Sequence, residues 1–284
     1  MDYTKSATVI QTQFFIRWQN LLKILNNIAP SIPNTADSRV FILLINKINS
    51  NCIAAISLIL KNFINEGFMI FRSAIETTIY AKYLKLYPNE QKHFLEKSLA
   101  IKIKYQLGLY KDLRTFPRLR EIIELQQNIE NNIKEFIRNN EILNKKFPQS
   151  IINFTDKEIQ TLDNFFQKQR LGSQNVYILL KEIQKIEPKF ANTKYNLHDV
   201  FYHFYDENST ILHGNLYYWN DQPTLDKYNL LIISSHLIRI LTSIEDIIKD
   251  KLSPTIREDL KQEIKKLIEL ESKIDLFSTS FPAC

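Results

Sequence analysis

Apolar residues recur every three to four positions along most of the chain, which is the spacing that one face of an α-helix requires. Prolines and a few glycines interrupt these runs and mark where helices end. The runs predict helices over residues 4–28, 38–61, 67–87, 89–114, 118–146, 155–170, 174–186, 197–212, 225–251 and 254–274. No segment alternates between apolar and polar residues as a half-buried strand does, so the pattern predicts an all-α protein.

Two of the predicted helix starts carry capping sequences. Thr155 precedes Glu158 by three positions, which is the spacing of a capping box. Ser253 followed by Pro254 places an N-cap residue before a proline at the first helical position. Both starts are therefore predicted from local chemistry alone.

Composition supports the helical prediction. Only 4 glycines and 9 prolines occur in 284 residues, and these two residue types are the main breakers of helices. The sequence predicts a multi-helix bundle in a single all-α domain over residues 1–284. A long, charged and amphipathic run follows Pro117, and we expect it to form one arm of a helical hairpin inserted at 118–170.

The cysteines and the apolar stretches bear on where the protein works. Cys52 and Cys284 are too few for a disulfide framework or a cysteine metal cluster. The chain begins without the apolar stretch of a signal peptide, and its most apolar segment, 52–60, is too short to cross a bilayer. We therefore expect a cytoplasmic protein with no membrane partner, no metal and no other cofactor.

Positive charge is concentrated in one segment of the chain. The net charge is +6, yet ten basic and three acidic side chains between Lys82 and Arg120 give that segment +7. Lys97, Lys104 and Lys111 recur every seven residues and so share one stripe of a helix. Such a stripe suits a phosphate-bearing partner, and it is also the ordinary pattern of a solvated helix face.

One polar pair falls on the helix predicted over residues 67–87, which is apolar on nearly every face. Such a helix normally lies at the centre of a fold, so Arg72 and Glu76 are expected to be at least partly buried. They stand four positions apart and can form an ion pair along the helix. A buried pair can hold a third group, such as a substrate phosphate, or it can simply lock neighbouring helices together.

A second set of polar side chains lies on and just after the helix predicted over residues 197–212. At about 100° per residue, four of them fall within a stripe about 60° wide. These four are Tyr202, Asp206, Ser209 and His213. Ser209 stands one turn before His213 and can contact it, and histidine is the usual proton-transfer group near neutral pH. The alternative is a histidine whose contact with Ser209 serves only the packing between helices.

Both sets together resemble a family of bacterial helical proteins, the DUF5677 family. The family's marks are an R-x-x-x-E helix and a later Y-x-x-x-S-x-x-x-H-G helix. In this chain they correspond to Arg72-Ser73-Ala74-Ile75-Glu76 with Tyr83-Leu84, and to the segment from Tyr205 to Gly214. The resemblance covers about residues 40–245.

The chain is also similar, more distantly, to HEPN helical bundles, many of which are RNA-cleaving toxins or antiphage effectors. Their usual mark is an arginine four to six residues before a histidine, whereas Asn208 stands five before His213 here. Arg72 would then supply the guanidinium from a neighbouring helix. The resemblance implies a HEPN-like core, a metal-independent ribonuclease activity and a toxin role in antiviral defence.

This resemblance assigns roles to particular residues. His213 would exchange a proton with a ribose 2′-hydroxyl, Ser209 would orient His213, Arg72 would stabilise the phosphorane charge, and Glu76 would orient Arg72. The residues expected to bind substrate are Tyr202, Tyr205, Asp206, Asn208, Lys97, Lys104 and Lys111. The expected partner is RNA, with a protein from the same operon or a second copy of the chain as further partners. The rival interpretations are a non-catalytic helical module that binds a ligand or protein in a defence system, and a structural scaffold.

Overall fold

A computed structural model describes residues 3–115, 123–147, 154–168, 176–187 and 227–278 of the chain. Within these ranges the secondary structure is helical and no strand occurs, so the prediction of an all-α, multi-helix protein is confirmed. The helices of the described residues are α1 (Tyr3–Ser31), α2 (Ala36–Leu60), α3 (Ile64–Leu86), α4 (Glu90–Thr115), α5 (Ile123–Asn139), α6 (Glu141–Asn144), α7 (Asp156–Lys168), α8 (Val176–Ile186), α9 (Lys227–Ile248) and α10 (Pro254–Ser278).

The two predicted capping sequences begin helices in the structure. The backbone N–H of Thr155 donates to Glu158 Oε2 at 2.7 Å, and the N–H of Glu158 donates back to Thr155 Oγ1 at 3.3 Å. At the start of α10, the N–H of Ile256 donates to Ser253 Oγ at 3.3 Å. Both predicted helix starts are therefore confirmed.

The run of residues 118–146 was predicted as one helix, and this prediction is wrong. Within the described part of that run, α5 ends at Asn139 and a short helix, α6, begins at Glu141. The Oδ1 atom of Asn140 accepts a hydrogen bond from the N–H of Leu143 at 3.1 Å. Asn140 therefore acts as an N-cap that starts a new helix where the apolar periodicity alone suggested continuity.

The chain divides into two compact units. Unit 1 comprises Met1–Pro88 together with Asn175–Cys284, and unit 2 comprises Asn89–Gln174. Unit 2 begins before the insertion expected at 118–170, because it includes the whole of α4. The single domain over residues 1–284 and the hairpin at 118–170 stay predictions.

In unit 1, α3 is packed on several sides. Gly67, near its start, lies so close to α2 that an added Cβ would stand 2.4 Å from Ile59 Cγ1 and 2.9 Å from the carbonyl oxygen of Ala55. Further along, Asn51 Nδ2 donates to Ser73 Oγ at 3.0 Å, so the two helices run antiparallel. Because α3 also packs against α8 and α9, it is the central helix that its all-round apolar sequence predicted.

The rest of unit 1 packs around buried aromatic and aliphatic side chains. Trp18 of α1 is fully buried, and its Nε1–H donates to Ser234 Oγ of α9 at 3.1 Å. Cys52 of α2 is also fully buried, and burial raises the pKa of its thiol to about 12. Cys52 is therefore an unreactive core residue, as the sequence predicted.

Among the described helices, α2 alone is long and apolar enough to cross a membrane by length and composition. Its span Ser38–Leu60 has a mean hydropathy of 1.6, and half of its most apolar stretch is buried inside the protein. The core helix of a soluble protein has the same profile. Hydropathy therefore does not distinguish a membrane-spanning helix from a buried core helix here. The absence of a membrane partner stays a prediction.

Unit 2 has a hydrophobic core of its own. Buried apolar residues from α4 to α7 meet in one cluster that contains Leu107, Ile133, Leu143, Leu162 and Phe166 among its fully buried members. The ring of Tyr110 meets that of Phe154 edge-on, with centroids 5.8 Å apart. Unit 2 therefore contains the packing that an independently folding domain requires.

Candidate functional site

Arg72 and Glu76 form the expected ion pair along α3. The distance from Arg72 Nε to Glu76 Oε1 is 3.1 Å, and the side chains are 15% and 30% exposed. The expectation that both are at least partly buried is therefore confirmed. Arg72 also makes at least one further interaction, so it belongs to a larger polar arrangement than this pair.

The local structure of α3 holds this pair in place. Thr77 Oγ1 donates to the carbonyl oxygen of Ser73 at 2.7 Å, and Thr78 Oγ1 donates to that of Ala74 at 2.8 Å. Glu76 accepts a hydrogen bond from Nε–H of Arg72, and this bond fixes the plane of the guanidinium. The other four of its five N–H donors belong to the two Nη groups. A guanidinium oriented in this way suits recognition of an oxyanion such as a phosphate.

The second predicted set lies outside the described residues. It comprises Tyr202, Tyr205, Asp206, Asn208, Ser209 and His213. The shared site of Arg72 and His213 therefore stays a prediction, and the described half of it is the Arg72–Glu76 pair.

The predicted lysine stripe lies on α4, but its members differ in environment. Lys111 forms an ion pair with Asp163 of α7 and is 37% exposed. Lys104 is exposed and Lys97 is half-buried, and neither pairs with a carboxylate within the described part of the chain. Lys97 and Lys104 thus keep the charge that a phosphate contact needs, whereas Asp163 neutralises Lys111.

Much of the positive charge between Lys82 and Arg120 is neutralised by carboxylates that lie far away in the sequence. The cations paired in this way are Lys82, Lys85, Lys111 and Arg114, and their partners are Glu187, Asp246, Asp163 and Asp156. The charge of +7 counted along the segment is therefore larger than the charge its surface presents.

Lys82 was counted as part of the basic segment, but it lies in the core of unit 1. Its side chain is 2% exposed, and its Nζ lies 2.8 Å from Glu187 Oε2 and also bonds to Asp246. Burial alone would raise the pKa of Asp246, but the hydrogen bond and charge of Lys82, with Lys85 and Lys249 nearby, lower it. This cluster has no signal in the sequence, because Lys82 lies on α3, Asp246 on α9 and Glu187 just after α8, and the three share no motif.

His236 of α9 is a second buried ionisable group that the sequence analysis did not single out. Its side chain is 5% exposed, and burial lowers its pKa to about 3, with the positive charge of Arg239 adding to the effect. Both side chains make further interactions. The sequence does contain a signal for this group, because His236 and Arg239 are ionisable residues three positions apart on an apolar helix. Arg72 and Glu76 are a pair of the same kind.

Two surface clefts of unit 1 are lined in part by basic residues that pair with a carboxylate. A cleft of about 260 Å³ between α1 and α10 contains Arg17 and Lys266, which pair with Glu263 at 3.3 and 2.6 Å. A cleft of about 440 Å³ at the α9–α10 turn contains Arg257 and Lys261, which lie 2.9 and 3.6 Å from Glu245. In each cleft two cations thus share one carboxylate, and Lys273 also lines the first cleft.

Within the described residues, no group of three His, Cys, Asp or Glu side chains is placed to hold a metal ion. Comparisons with models of known protein families, with curated proteins and with solved structures gave no match. The resemblance to the DUF5677 family and to HEPN bundles therefore rests on the motifs quoted above.

Proposed function

We propose that this chain is an RNA-cleaving effector of bacterial antiphage defence, with a HEPN-like core and a cytoplasmic site of action. The observation that supports the proposal is the Arg72–Glu76 pair, a largely buried guanidinium that a carboxylate orients at 3.1 Å in the central helix of unit 1. A cation held in this way stabilises the charge that develops on a phosphate during its transfer.

The proposed chemistry is cleavage by the neighbouring ribose hydroxyl. His213 removes the proton of the 2′-hydroxyl, the 2′-oxygen bonds to phosphorus, and the bond from phosphorus to the 5′-oxygen breaks. The leaving 5′-oxygen takes up a proton from water, His213 returns its proton to the solvent, and the products are a 2′,3′-cyclic phosphate and a 5′-hydroxyl. Arg72 stabilises the phosphorane, Glu76 orients Arg72, and Ser209 orients His213. Since this route uses the hydroxyl of the RNA itself, it needs no metal ion.

The test is expression and cleavage with single-residue variants. Wild-type protein should slow the growth of the host and cut RNA in the presence of EDTA, leaving cyclic phosphate ends. His213→Ala should abolish both effects, and Arg72→Gln should lower the cleavage rate at least about 100-fold, the size of effect seen when one charge-stabilising donor is removed. Arg39→Gln, which changes an exposed arginine of α2, is the matched control and should cleave at the wild-type rate.

Thermal unfolding of each variant separates chemistry from folding. His213→Ala and Arg72→Gln should keep a cooperative transition close to that of wild type, because their proposed role is in the reaction. If the variants unfold instead, the polar residues serve the fold. If every variant folds and wild type cuts no RNA, the remaining function is the rival one, a non-catalytic helical module that binds a ligand or a protein in a defence system.

A further inference from the structure

The outward side of α4 carries an aromatic ring set among lysines. Tyr105 is 75% exposed, and Ile101, one turn earlier, is 43% exposed. Lys102 lies about 60° to one side of Tyr105 around the helix, and Lys97 and Lys104 lie about 80–100° to the other side. We call the surface formed by these five residues and Gly108 the Tyr105 face.

The lysines of the Tyr105 face keep their charge. Lys97, Lys102 and Lys104 form no ion pair with a carboxylate among the residues that the structure describes. Lys111 on the same helix differs, since Asp163 neutralises it. The Tyr105 face therefore attracts a partner that carries negative charge at several points.

Gly108 leaves an open space beside the ring. It stands one turn after Tyr105, and an added Cβ at this position would meet no atom within 4 Å. Glycine within a helix costs about 1 kcal/mol relative to alanine, and here no packing contact compensates for that cost. The missing side chain leaves a flat strip of backbone next to an exposed aromatic ring, as the approach of a planar ligand would require.

We propose that the Tyr105 face binds single-stranded RNA, with one base stacked on Tyr105 over Gly108 and with phosphates on Lys97, Lys102 and Lys104. An exposed aromatic ring among cations is the chemistry by which proteins hold unpaired bases and their backbone. A duplex keeps its bases stacked on one another and offers none to the ring. This inference rests on the proposed function and deepens it, because it names the class of RNA that unit 2 receives.

The test measures binding separately from cleavage by using the full chain and a fluorescein-labelled 12-nucleotide RNA with 2′-O-methyl groups, which has no 2′-hydroxyl to attack. Fluorescence anisotropy across a KCl series gives the affinity and its salt dependence. The variants are Tyr105→Phe, Tyr105→Leu and a triple change of Lys97, Lys102 and Lys104 to Gln. The matched control is Tyr177→Leu, because Tyr177 of α8 is also an exposed tyrosine beside a lysine, with Lys181 Nζ 5.3 Å from its ring centroid.

Stacking and phosphate contacts should separate in these data. Tyr105→Leu should weaken binding about tenfold or more without changing the salt dependence, whereas Tyr105→Phe should bind within about twofold of wild type. The triple lysine variant should reduce the slope of log affinity against log salt by about 2. Tyr177→Leu should bind as wild type does, and a 12-base-pair duplex should compete poorly.

The inference is overturned if wild type binds no single strand at low salt, or if Tyr105→Leu binds as tightly as wild type. Cleavage of unmodified RNA by wild type, measured in parallel, keeps the two proposals distinct. If wild type cleaves RNA while Tyr105→Leu binds normally, the inference alone fails. If the binding pattern holds while no RNA is cut, the proposed function fails and the Tyr105 face remains a single-strand binding surface.

Discussion

His236 shows how burial changes the behaviour of a single residue. Because its pKa in the folded protein is lowered to about 3, the imidazole is neutral at physiological pH. In the unfolded chain a histidine takes up its proton near pH 6.5. Between these two pKa values the unfolded state binds a proton that the folded state does not bind. The free energy of unfolding therefore decreases as the pH falls below 6.5.

We expect the free energy of unfolding to fall by about 1.5 kcal/mol between pH 6.5 and pH 5 on account of His236 alone. His236→Gln removes the titrating group, so its stability should be flatter over this interval, whatever its absolute value. Urea unfolding at several pH values measures the difference. The matched control is His93→Gln, which changes an exposed histidine of α4 and should keep the wild-type slope. An unchanged slope in His236→Gln would contradict the prediction.

Lys82 is the most buried cation among the described residues, and its two carboxylate partners are much more exposed. Its side chain is 2% exposed, whereas those of Glu187 and Asp246 are 34% and 41% exposed. Removing the lysine lets both carboxylates meet water, and Asp246 keeps Lys249 at 3.7 Å. Removing the two carboxylates takes both negative charges away from an ammonium group that stays buried. The two kinds of change are therefore not equivalent.

We expect the double variant Glu187→Gln with Asp246→Asn to lose about 3–5 kcal/mol of unfolding free energy, the usual cost of removing the carboxylate side of a buried ion pair. Lys82→Met should lose less than half as much, since methionine fills the space and carries no charge. Urea denaturation measures both. Lys92→Met, whose pair with Glu96 is exposed at 3.9 Å, is the control and should cause no measurable loss. A larger loss in Lys82→Met than in the double variant would contradict this expectation.

At the scale of the element, the two described glycines have opposite roles. Gly67 lets α3 approach α2 at a point where a Cβ would overlap Ile59 and the backbone of Ala55. Gly108 lies on α4 with open space around it. The same substitution should therefore change stability in opposite directions at the two positions.

We expect Gly67→Ala to lower the free energy of unfolding by about 1–3 kcal/mol, because the helices must move apart to accept the methyl group. Gly108→Ala should raise it by up to about 1 kcal/mol, because alanine is the better helix former and meets no clash. Thermal or urea unfolding measures both changes, and each variant is the control for the other. A loss of stability in Gly108→Ala would show that this glycine has a packing role.

The contrast between predicted and missed elements has a physical cause. The capping residues Thr155 and Ser253 act on a backbone group within three positions, so the sequence suffices to predict them. The environment of Gly67 is set by α2, and that of Lys82 by Glu187 and by Asp246 of α9. These contacts cannot be predicted from the residues next to Gly67 and Lys82 in the sequence. The candidate site divides in the same way, since the Arg72–Glu76 pair is local to one turn, whereas the predicted convergence of this pair with His213 depends on the tertiary fold.

At the scale of the whole molecule, unit 2 is inserted between two antiparallel helices of unit 1. Lys82 of α3 contacts Glu187 at 2.8 Å, and the hydroxyl of Tyr87, which follows the end of α3, donates to the carbonyl oxygen of Glu182 at 3.4 Å. The chain therefore leaves α3 and returns along α8 in the opposite direction. Since unit 2 has its own core, we expect that it can be removed from the chain as a domain.

We expect residues 89–174, expressed alone, to fold into a helical domain with a cooperative thermal transition, because their buried cluster is complete within unit 2. The rest of the chain should also fold when Pro88 is joined to Asn175 by a flexible linker. The linker must cross the 8–10 Å between packed helices and the rise of about 9 Å from the level of Glu182 back to the start of α8. About eight Gly/Ser residues reach about 16 Å, which is enough for both. Circular dichroism and thermal unfolding measure both products.

A second deletion distinguishes this division from the hairpin expected at 118–170. Removing residues 118–170 keeps α4 but takes away the helices that cover its buried side chains, among them Ile103, Leu107 and Tyr110. That product should expose an apolar helix face and aggregate, whereas the deletion of 89–174 should stay monodisperse in size-exclusion chromatography. If the shorter deletion is the well-behaved one, α4 belongs with unit 1 in solution, and the inserted domain begins where the sequence pattern placed it.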